Sequence, residues 1–596
     1  MMMQRANLFY CCHRKSIALK FVPTLIKMNG ISISHFLNDD KKVGIVHQST
    51  SSSSTTKSLP QGPGFEHFLN NAPQNYQPSK HLLEKISHPY VHIEDISGHG
   101  RKVCFQVHGC QMNVSDVEVT WSVLKSVGYE KTEILDEADV ILVMTCAIRA
   151  GAEQKIWNKL RNYQLLKKRR AKSLNPIPVK IGILGCMAER LKKDILDQDK
   201  EIDLVMGPDS YRDLPRLLAL TQSGERTVNV LLSQEETYAD IMPVSLAQNK
   251  ISAFVSIMRG CDNMCSYCIV PFTRGRERSR PIESIMNEVR ALSDQGVKEI
   301  TLLGQNVNSY CDMSQTTHAG INLSSQEQAS AAISKGFKTI YKPKKGGLRF
   351  SSLLDEVSKI DPNIRIRFTS PHPKDFPDKV LELIRDRKNI CSQLHLPAQA
   401  GSSRILEIMR RGYTREAYLE LVQHIRSVIP NVALSSDFIA GFCSETEEEF
   451  QETLSLMEAV KYHFCYVFPY SLREKTPAHR DLKDDVPSEE KAMRMARLTD
   501  AFRRHALQWN QKQVGQRQLV LVEGCSKRSK LHLAGRNDSN TKVIFPDVPV
   551  PDALQSDSPS RSPCPGDYVE VEISDASSQV LHARPLLITS LQAACV

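Results

Sequence analysis

At 596 residues with 41% apolar content, the chain is long enough for several domains that each bury a core of their own. No stretch approaches the roughly 18 consecutive apolar residues of a membrane-spanning helix, so a soluble protein with no membrane span is expected. A formal charge of +10 with a pI near 8.8 fits a polyanionic partner, although basic enzymes without such a partner share that balance.

The first 38 residues carry Arg5, Arg14, Lys15, Lys20 and Lys27, with no acidic residue before Asp39 and apolar groups spaced between the charges. This composition predicts a mitochondrial presequence over 1–38 and a matrix location, with an additional cytosolic pool; a basic tail is the alternative. In a reducing compartment the 16 cysteines read better as metal or redox ligands than as a disulfide framework. Residues 39–99 read as a disordered linker, centred on "HQSTSSSSTTKSLPQGPG".

Ordered sequence begins near Lys102. The runs "KVCFQV", "ADVILVMT", "VKIGILG" and "IDLVMG" alternate with segments of helical spacing, which predicts an open parallel α/β sheet in a domain over 100–245. The alternation restarts over 246–510 with "AFVSIMRG", "EITLLGQN", "IRIRFTS", "SQLHLPAQ", "VALSSDFIAGF" and "FCYVFPYS", about six βα units and hence a partial barrel. Residues 311–347 break the pattern with polar sequence and are expected to be an exposed insertion. Over 511–592, "QLVLVEG", "TKVIFP" and "DYVEVEIS" with turn residues between them predict a small all-β module.

Two groups of cysteines carry chemistry. Cys261, Cys265 and Cys268 lie in one loop between a strand and a helix. A closed zinc site needs a fourth ligand, and no Cys or His stands within reach along this loop. A 4Fe-4S cluster held by three thiolates instead keeps one iron open to a non-protein ligand. Cys110, Cys146 and Cys186 are far apart in sequence, yet each follows a predicted parallel strand, at the edge where open α/β sheets place ligands. They can converge on a second cluster or be three buried core thiols, as Cys104 within its strand is expected to be.

C-x3-C-x2-C with Tyr267 before the last cysteine resembles the radical S-adenosylmethionine signature. Together with "GCQMN", "TCAIR", "GCMAER", "IVPFTRGRERSRP", "LLGQNVNSY", "RFTSPHP", "LHLPAQAGS", "SSDFIAGF" and "DDVPSEEK" in this order, the chain from about 100 to 590 resembles the tRNA methylthiotransferase family. The resemblance implies an N-terminal methylthiotransferase domain, a radical barrel and a C-terminal TRAM barrel. It implies two 4Fe-4S clusters and S-adenosylmethionine: Cys261, Cys265 and Cys268 for the reducing cluster, Cys110, Cys146 and Cys186 for the sulfur-donating one. The implied reaction is 2-methylthiolation of N6-isopentenyladenosine beside the anticodon, in a base turned out of its stack. Threonylcarbamoyladenosine in tRNA and an aspartate of a ribosomal protein are the alternative substrates. The implied partners are a tRNA anticodon stem-loop and an electron donor of ferredoxin or flavodoxin type. A protein regulating a kinase is a further expected partner, and a non-catalytic role through it is the alternative function.

Tyr267, Gln305, Ser370 and Asp437 are the expected S-adenosylmethionine contacts, the last three standing at carboxyl ends of barrel strands where polar caps also occur. Arg274 and Arg276, with Arg278 and Arg280 behind them, are expected to reach the tRNA backbone; a solvated loop is the alternative. Lys527, Arg528 and Lys530 on a turn of the β module are expected to grip the anticodon stem. "KKRR" at 167–170 reads as a solvated helix face. Two departures from the family pattern stand out: Cys443-Ser444-Glu445-Thr446 where Pro-Gly-Glu-Thr is usual, and the long insertion, which begins at Cys311.

Overall fold

The computed structural model describes residues 91–594 except 92, 149, 173–177, 246–250, 315–335, 339–345 and 555–559. The expected presequence and nearly all of the expected linker lie outside these residues. Six parallel strands form the first sheet: β1 (Lys102–Val107), β2 (Glu130–Lys131), β3 (Val140–Thr145), β4 (Lys180–Gly185), β5 (Leu204–Met206) and β6 (Thr227–Asn229). Their spatial order is β2-β1-β3-β4-β5-β6. β3 and β4 are buried at every position, as a sheet covered on both faces requires. Strand order reverses between β1 and β3. The connections on either side of that point cover opposite faces, and a crevice opens at the carboxyl ends of the two strands. Helices α1 (Gln111–Ser126), α2 (Ala150–Ala171) and α3 (Cys186–Leu191) follow β1, β3 and β4. On α2 the basic run is a paired surface: Lys167 meets Asp203 at 2.7 Å, Lys168 meets Glu201 at 3.4 Å, and Arg169 and Arg170 meet Asp136 and Asp139.

The second region is a partial barrel of six parallel strands, all six read from the sequence: β7 (Ser252–Ser256), β10 (Glu299–Leu303), β13 (Arg365–Phe368), β14 (Gln393–His395), β15 (Ala433–Ala440) and β16 (Phe464–Pro469). The short ribbon β8 (Met258–Arg259) and β9 (Arg278–Ser279) brackets the cysteine loop and helix α4 (Val270–Arg274). The strands pair as β13-β10-β7 and β14-β15-β16, and a bridge between Ile366 and Ile390 joins the two sets. Ile366 and Phe368 of β13 face the core under the helices. Arg365 and Arg367, two residues apart on the opposite face, are buried against the C-terminal module. They donate to the carbonyls of Arg536, Leu519, Asp538 and Asn537 at 2.7–2.8 Å, and Arg367 also pairs with Glu299.

β11 (Cys311–Asp312) and β12 (Leu348–Arg349) pair antiparallel and close the neck of the insertion. Cys311 is buried there, its Sγ 3.4 Å from the Gly346 carbonyl. The insertion is not wholly exposed: Phe337 is buried in the barrel core against Tyr413, because Lys338 N–H donates to Gly412 O at 2.7 Å and draws the segment in.

In the departing loop, Ser444 adopts φ +61°, the left-handed conformation that favours glycine. Asp485, from "DDVPSEEK", holds it there by accepting from Ser444 N–H at 2.7 Å and from its hydroxyl at 3.3 Å. Thr446 and Glu449 then form a capping box that starts α5 (Glu447–Val460). A left-handed L-residue costs about 1–2 kcal/mol and glycine loses about 0.5–1 kcal/mol more entropy on folding, so Ser444→Gly should raise stability by about 0.5 kcal/mol. Ser444→Ala should not, and thermal denaturation of the two variants checks this.

The long helix α6 (Ser488–Gln511) leads into a closed barrel of β17 (Arg517–Ser526), β18 (Ser529–Arg536), β19 (Lys542–Pro546), β20 (Tyr568–Ala576) and β21 (Val580–Thr589), ordered β17-β18-β19-β21-β20.

Candidate functional site: two cysteine trios at a domain junction

The register of the first sheet determines where its cysteines fall. Val107 pairs with Met144, and Thr145 pairs with Gly185, so Cys110, Cys146 and Cys186 leave three adjacent strands at nearly one level. Gly109 stands so close to Cys146 that a Cβ on it would lie 2.7 Å from the Cys146 Cβ, and its φ of +114° turns the chain into α1. Cys110 is the N-cap of α1. Neighbouring strands are about 4.8 Å apart, so the trio spans about 10 Å across the strand-order reversal. Among the described residues no three Cys, His, Asp or Glu side chains are gathered tightly enough to share a single ion. Thiolate is the ligand that iron–sulfur clusters take, so three thiols at one sheet edge are a donor set that such a cluster fits.

The second trio lies at the carboxyl end of β7. Cys261 and Cys265 are buried and Cys268 is half-buried. Met264 adopts φ +36° within the loop, and Gly260 is required before it, since a Cβ there would meet the Arg276 carbonyl at 2.0 Å. Burial pushes up Cys261, Cys268, to about 12, and Cys186 of the first trio, to about 11, so occupation of either site by metal must release protons.

The two trios meet. Ile269, next to Cys268, packs against Cys186 and Ala147 in one buried cluster, and α4 lies against α3. Each trio has a buried guanidinium beside it. Arg411 donates to Cys265 Sγ and to Tyr267 Oη, both at 3.5 Å. Arg274, only 2% exposed, donates through Nε to Cys186 Sγ at 3.2 Å and through Nη2 to Asn113 Oδ1 at 3.1 Å and Asp116 Oδ2 at 2.7 Å. Asp116 also accepts from Arg259 at 2.7 Å. Burial alone would push the Asp116 carboxyl up, but Arg274 and Arg259 outweigh it and hold the group below the usual carboxylate range.

These contacts correct the expected role of the arginine run. Arg274 is turned inward, away from any tRNA phosphate, because α4 carries it to Asp116. Arg278 and Arg280 are buried on Asp209 and Glu288. Arg276, 65% exposed and 3.5 Å from Asp262, is the one of the four at the surface. Lys527 and Arg528 form the exposed turn between β17 and β18, with exposed Lys530 just beyond.

The expected cofactor contacts sit around the barrel mouth. Gln305, two residues past β10, has a buried Oε1 with no partner among the described residues, and Ser370, two residues past β13, adopts φ +57°. Tyr267 stands edge-on to Phe442. Asp437 lies inside β15 and not at its carboxyl end as expected, its Oδ2 3.4 Å from His395 Nε2. Sequence reasoning missed His395, Arg411, Asn113 and Asp116, although three of them lie inside or beside quoted motifs. It also missed Tyr466, 50% exposed on the barrel's edge strand, edge-on to His395 and nearly parallel to Phe468. Alternate aromatics in "FCYVFPYS" were the available signal.

The cradle for the first trio carries unfilled donors. Nη1 of Arg274 and Nη2 of Arg473 are buried without hydrogen-bond partners among the described residues, which suits an anionic group seated on those thiolates.

Three family descriptions match the chain: the uncharacterized protein family UPF0004 over 102–207, the radical SAM superfamily over 255–457 and the TRAM domain over 511–586. The chain is 58% identical to the mitochondrial tRNA methylthiotransferase CDK5RAP1 of Mus musculus, over 90% of this chain and 89% of that one. Identity to the Homo sapiens protein of the same name is 55%, with the same coverage. It is 49% identical to a tRNA-2-methylthio-N(6)-dimethylallyladenosine synthase of Amoebophilus asiaticus, over 75% of this chain and 87% of that one. Among solved structures, the radical S-adenosylmethionine methyltransferase TsrM of Kitasatospora setae aligns with a TM-score of 0.44 at 14% identity, covering 64% of this chain and 75% of that one.

Proposed function

The chain belongs to the radical S-adenosylmethionine tRNA methylthiotransferase family, and on that premise we propose that it is a mitochondrial enzyme converting N6-isopentenyladenosine beside the tRNA anticodon to its 2-methylthio derivative. The observation that carries this reading is the junction itself: two cysteine trios from different domains, linked through Ile269, the neighbour of Cys268, which packs with Cys186. The domains are 100–245, 246–510 and 511–592; the three family matches fall inside them.

In this reading Cys261, Cys265 and Cys268 hold one 4Fe-4S cluster and Cys110, Cys146 and Cys186 the other. When bound, these clusters and S-adenosylmethionine supply the electron, the adenosyl radical and the sulfur, with a ferredoxin or flavodoxin type of donor feeding the first cluster. The chain's own part is placement. Tyr267, Gln305, Ser370 and Asp437 orient S-adenosylmethionine, and Arg411 fixes Tyr267 and Cys265. The packed Ala147, Cys186 and Ile269 keep water out from between the trios. Tyr466 and Phe468 offer a flipped adenine a stacking surface, worth about 1–3 kcal/mol per base.

Arg276, Lys527, Arg528 and Lys530 hold the tRNA backbone from outside. Replacing the last three by Ala should weaken tRNA binding at least about tenfold and lower the salt dependence by about 2–3 in slope, as loss of phosphate contacts does. Filter binding across a salt series checks this.

The decisive experiment is nucleoside mass spectrometry after anaerobic incubation of the reconstituted chain with reductant, S-adenosylmethionine and tRNA carrying N6-isopentenyladenosine. The expected product is its 2-methylthio derivative. Modification of threonylcarbamoyladenosine tRNA instead would move the assignment to that substrate, and modification of neither would overturn it.

A further inference from the structure

The thiols of Cys110, Cys146 and Cys186 come from the first domain, but two of the buried guanidiniums near them come from the barrel. Arg274 belongs to α4 of the barrel and reaches Cys186 Sγ at 3.2 Å. Arg473, also from the barrel and buried, reaches the chain two residues past Cys146: its Nε donates to Ile148 O at 3.2 Å and its Nη1 lies 3.3 Å from Glu153 Oε2. Neither guanidinium has a carboxylate to itself. Arg274 shares Asp116 with Arg259, which also lies 3.9 Å from Glu236, and Arg473 shares Glu153 with Arg190, which also lies 3.4 Å from Glu474. Each also keeps one buried N–H group without a partner. A buried guanidinium N–H without an acceptor is costly unless an acceptor is seated beside it, and Arg274 already lies against the Cys186 thiol.

We propose that Arg274 and Arg473 are positioning residues through which the radical barrel completes the site of the first sheet, supplying the positive charge that holds the anionic cluster on Cys110, Cys146 and Cys186 and sets its reduction potential. This inference rests on the two-cluster reading above. It makes that site whole only when the two domains are docked, since the sheet provides the ligands and the barrel the countercharge.

The test is an anaerobic redox titration of the full-length reconstituted protein followed by electron paramagnetic resonance. Added S-adenosylmethionine alters the spectrum of the cluster it binds and so marks it, leaving the other signal to the first trio. Arg473→Met and Arg274→Met should each shift the reduced-to-oxidised ratio of that second signal toward oxidised by about tenfold at a fixed potential, equivalent to about 59 mV for one electron. The Lys variants, which keep the charge, should show little of this shift. Arg274→Met also strips Asp116 of one partner; if it fails to fold, Arg473→Met, whose partner Glu153 keeps Arg190, still decides. A second signal unchanged within twofold in Arg473→Met would overturn the inference while leaving the two-cluster reading intact. Absence of any second signal in the unaltered protein would instead overturn that reading and this inference with it.

Discussion

Cys186→Ala is expected to abolish methylthiolation of tRNA while reductive cleavage of S-adenosylmethionine continues. Cys186 belongs to the trio of the first sheet and contacts the barrel through Arg274 and Ile269, leaving Cys261, Cys265 and Cys268 untouched. Removing an outer partner of a metal ligand typically costs about 10–100-fold, and loss of the ligand itself should exceed that. Cys261→Ala should abolish both reactions, because the electron enters through its trio. Cys104→Ala is the control that separates ligand from core. That thiol is equally buried, but in the middle of β1, so its loss should cost only about 1 kcal/mol of stability and spare both activities. Deoxyadenosine and methylthiolated nucleoside measured in the same incubations distinguish the three variants.

Asp116→Ala should be the most destabilising single substitution at the junction. Asp116 is fully buried and is the carboxylate between Arg259 and Arg274, so its removal leaves two guanidiniums in a dry interior; breaking such a pair costs about 3–5 kcal/mol. Asp116→Asn keeps an acceptor but no charge and should fall between. Because the folded carboxyl titrates below its usual range, its stabilising contribution is complete above the unfolded pKa of about 3.9 and is lost as pH falls through the lower folded value. Chemical denaturation should therefore show the wild-type advantage over Asp116→Asn undiminished from pH 7 to 5 and shrinking only in strong acid.

The cysteines were legible in the sequence because ligand chemistry is written in residue type. Strand ends were legible too, since β1, β3 and β4 are apolar runs that stop at a Gly or Thr before each thiol. The arginines were not. In "RGRERSR" every second residue is basic, and whether such a run faces water depends on where carboxylates lie: Asp116 and Asp209 come from another domain, and no local pattern announces them. For the same reason Arg365 and Arg367, in the middle of a barrel strand, could not be read as the dock for the C-terminal barrel. β18 and β21 escaped notice because their polar and apolar residues alternate with Lys, His and Pro, so that only closure of the barrel selects them as strands. Ser444 shows the converse: the missing glycine left the turn's geometry open in the sequence, and Asp485 keeps it left-handed.

The most direct measurement is iron and acid-labile sulfide in the anaerobically reconstituted full-length protein and in two variants, one with Cys110, Cys146 and Cys186 and the other with Cys261, Cys265 and Cys268 replaced by Ala. The expected contents are about eight irons per chain for the unaltered protein and about four for each variant. Four irons in the unaltered protein, with none lost on removing the first trio, would contradict the two-cluster junction, as would zinc in place of iron.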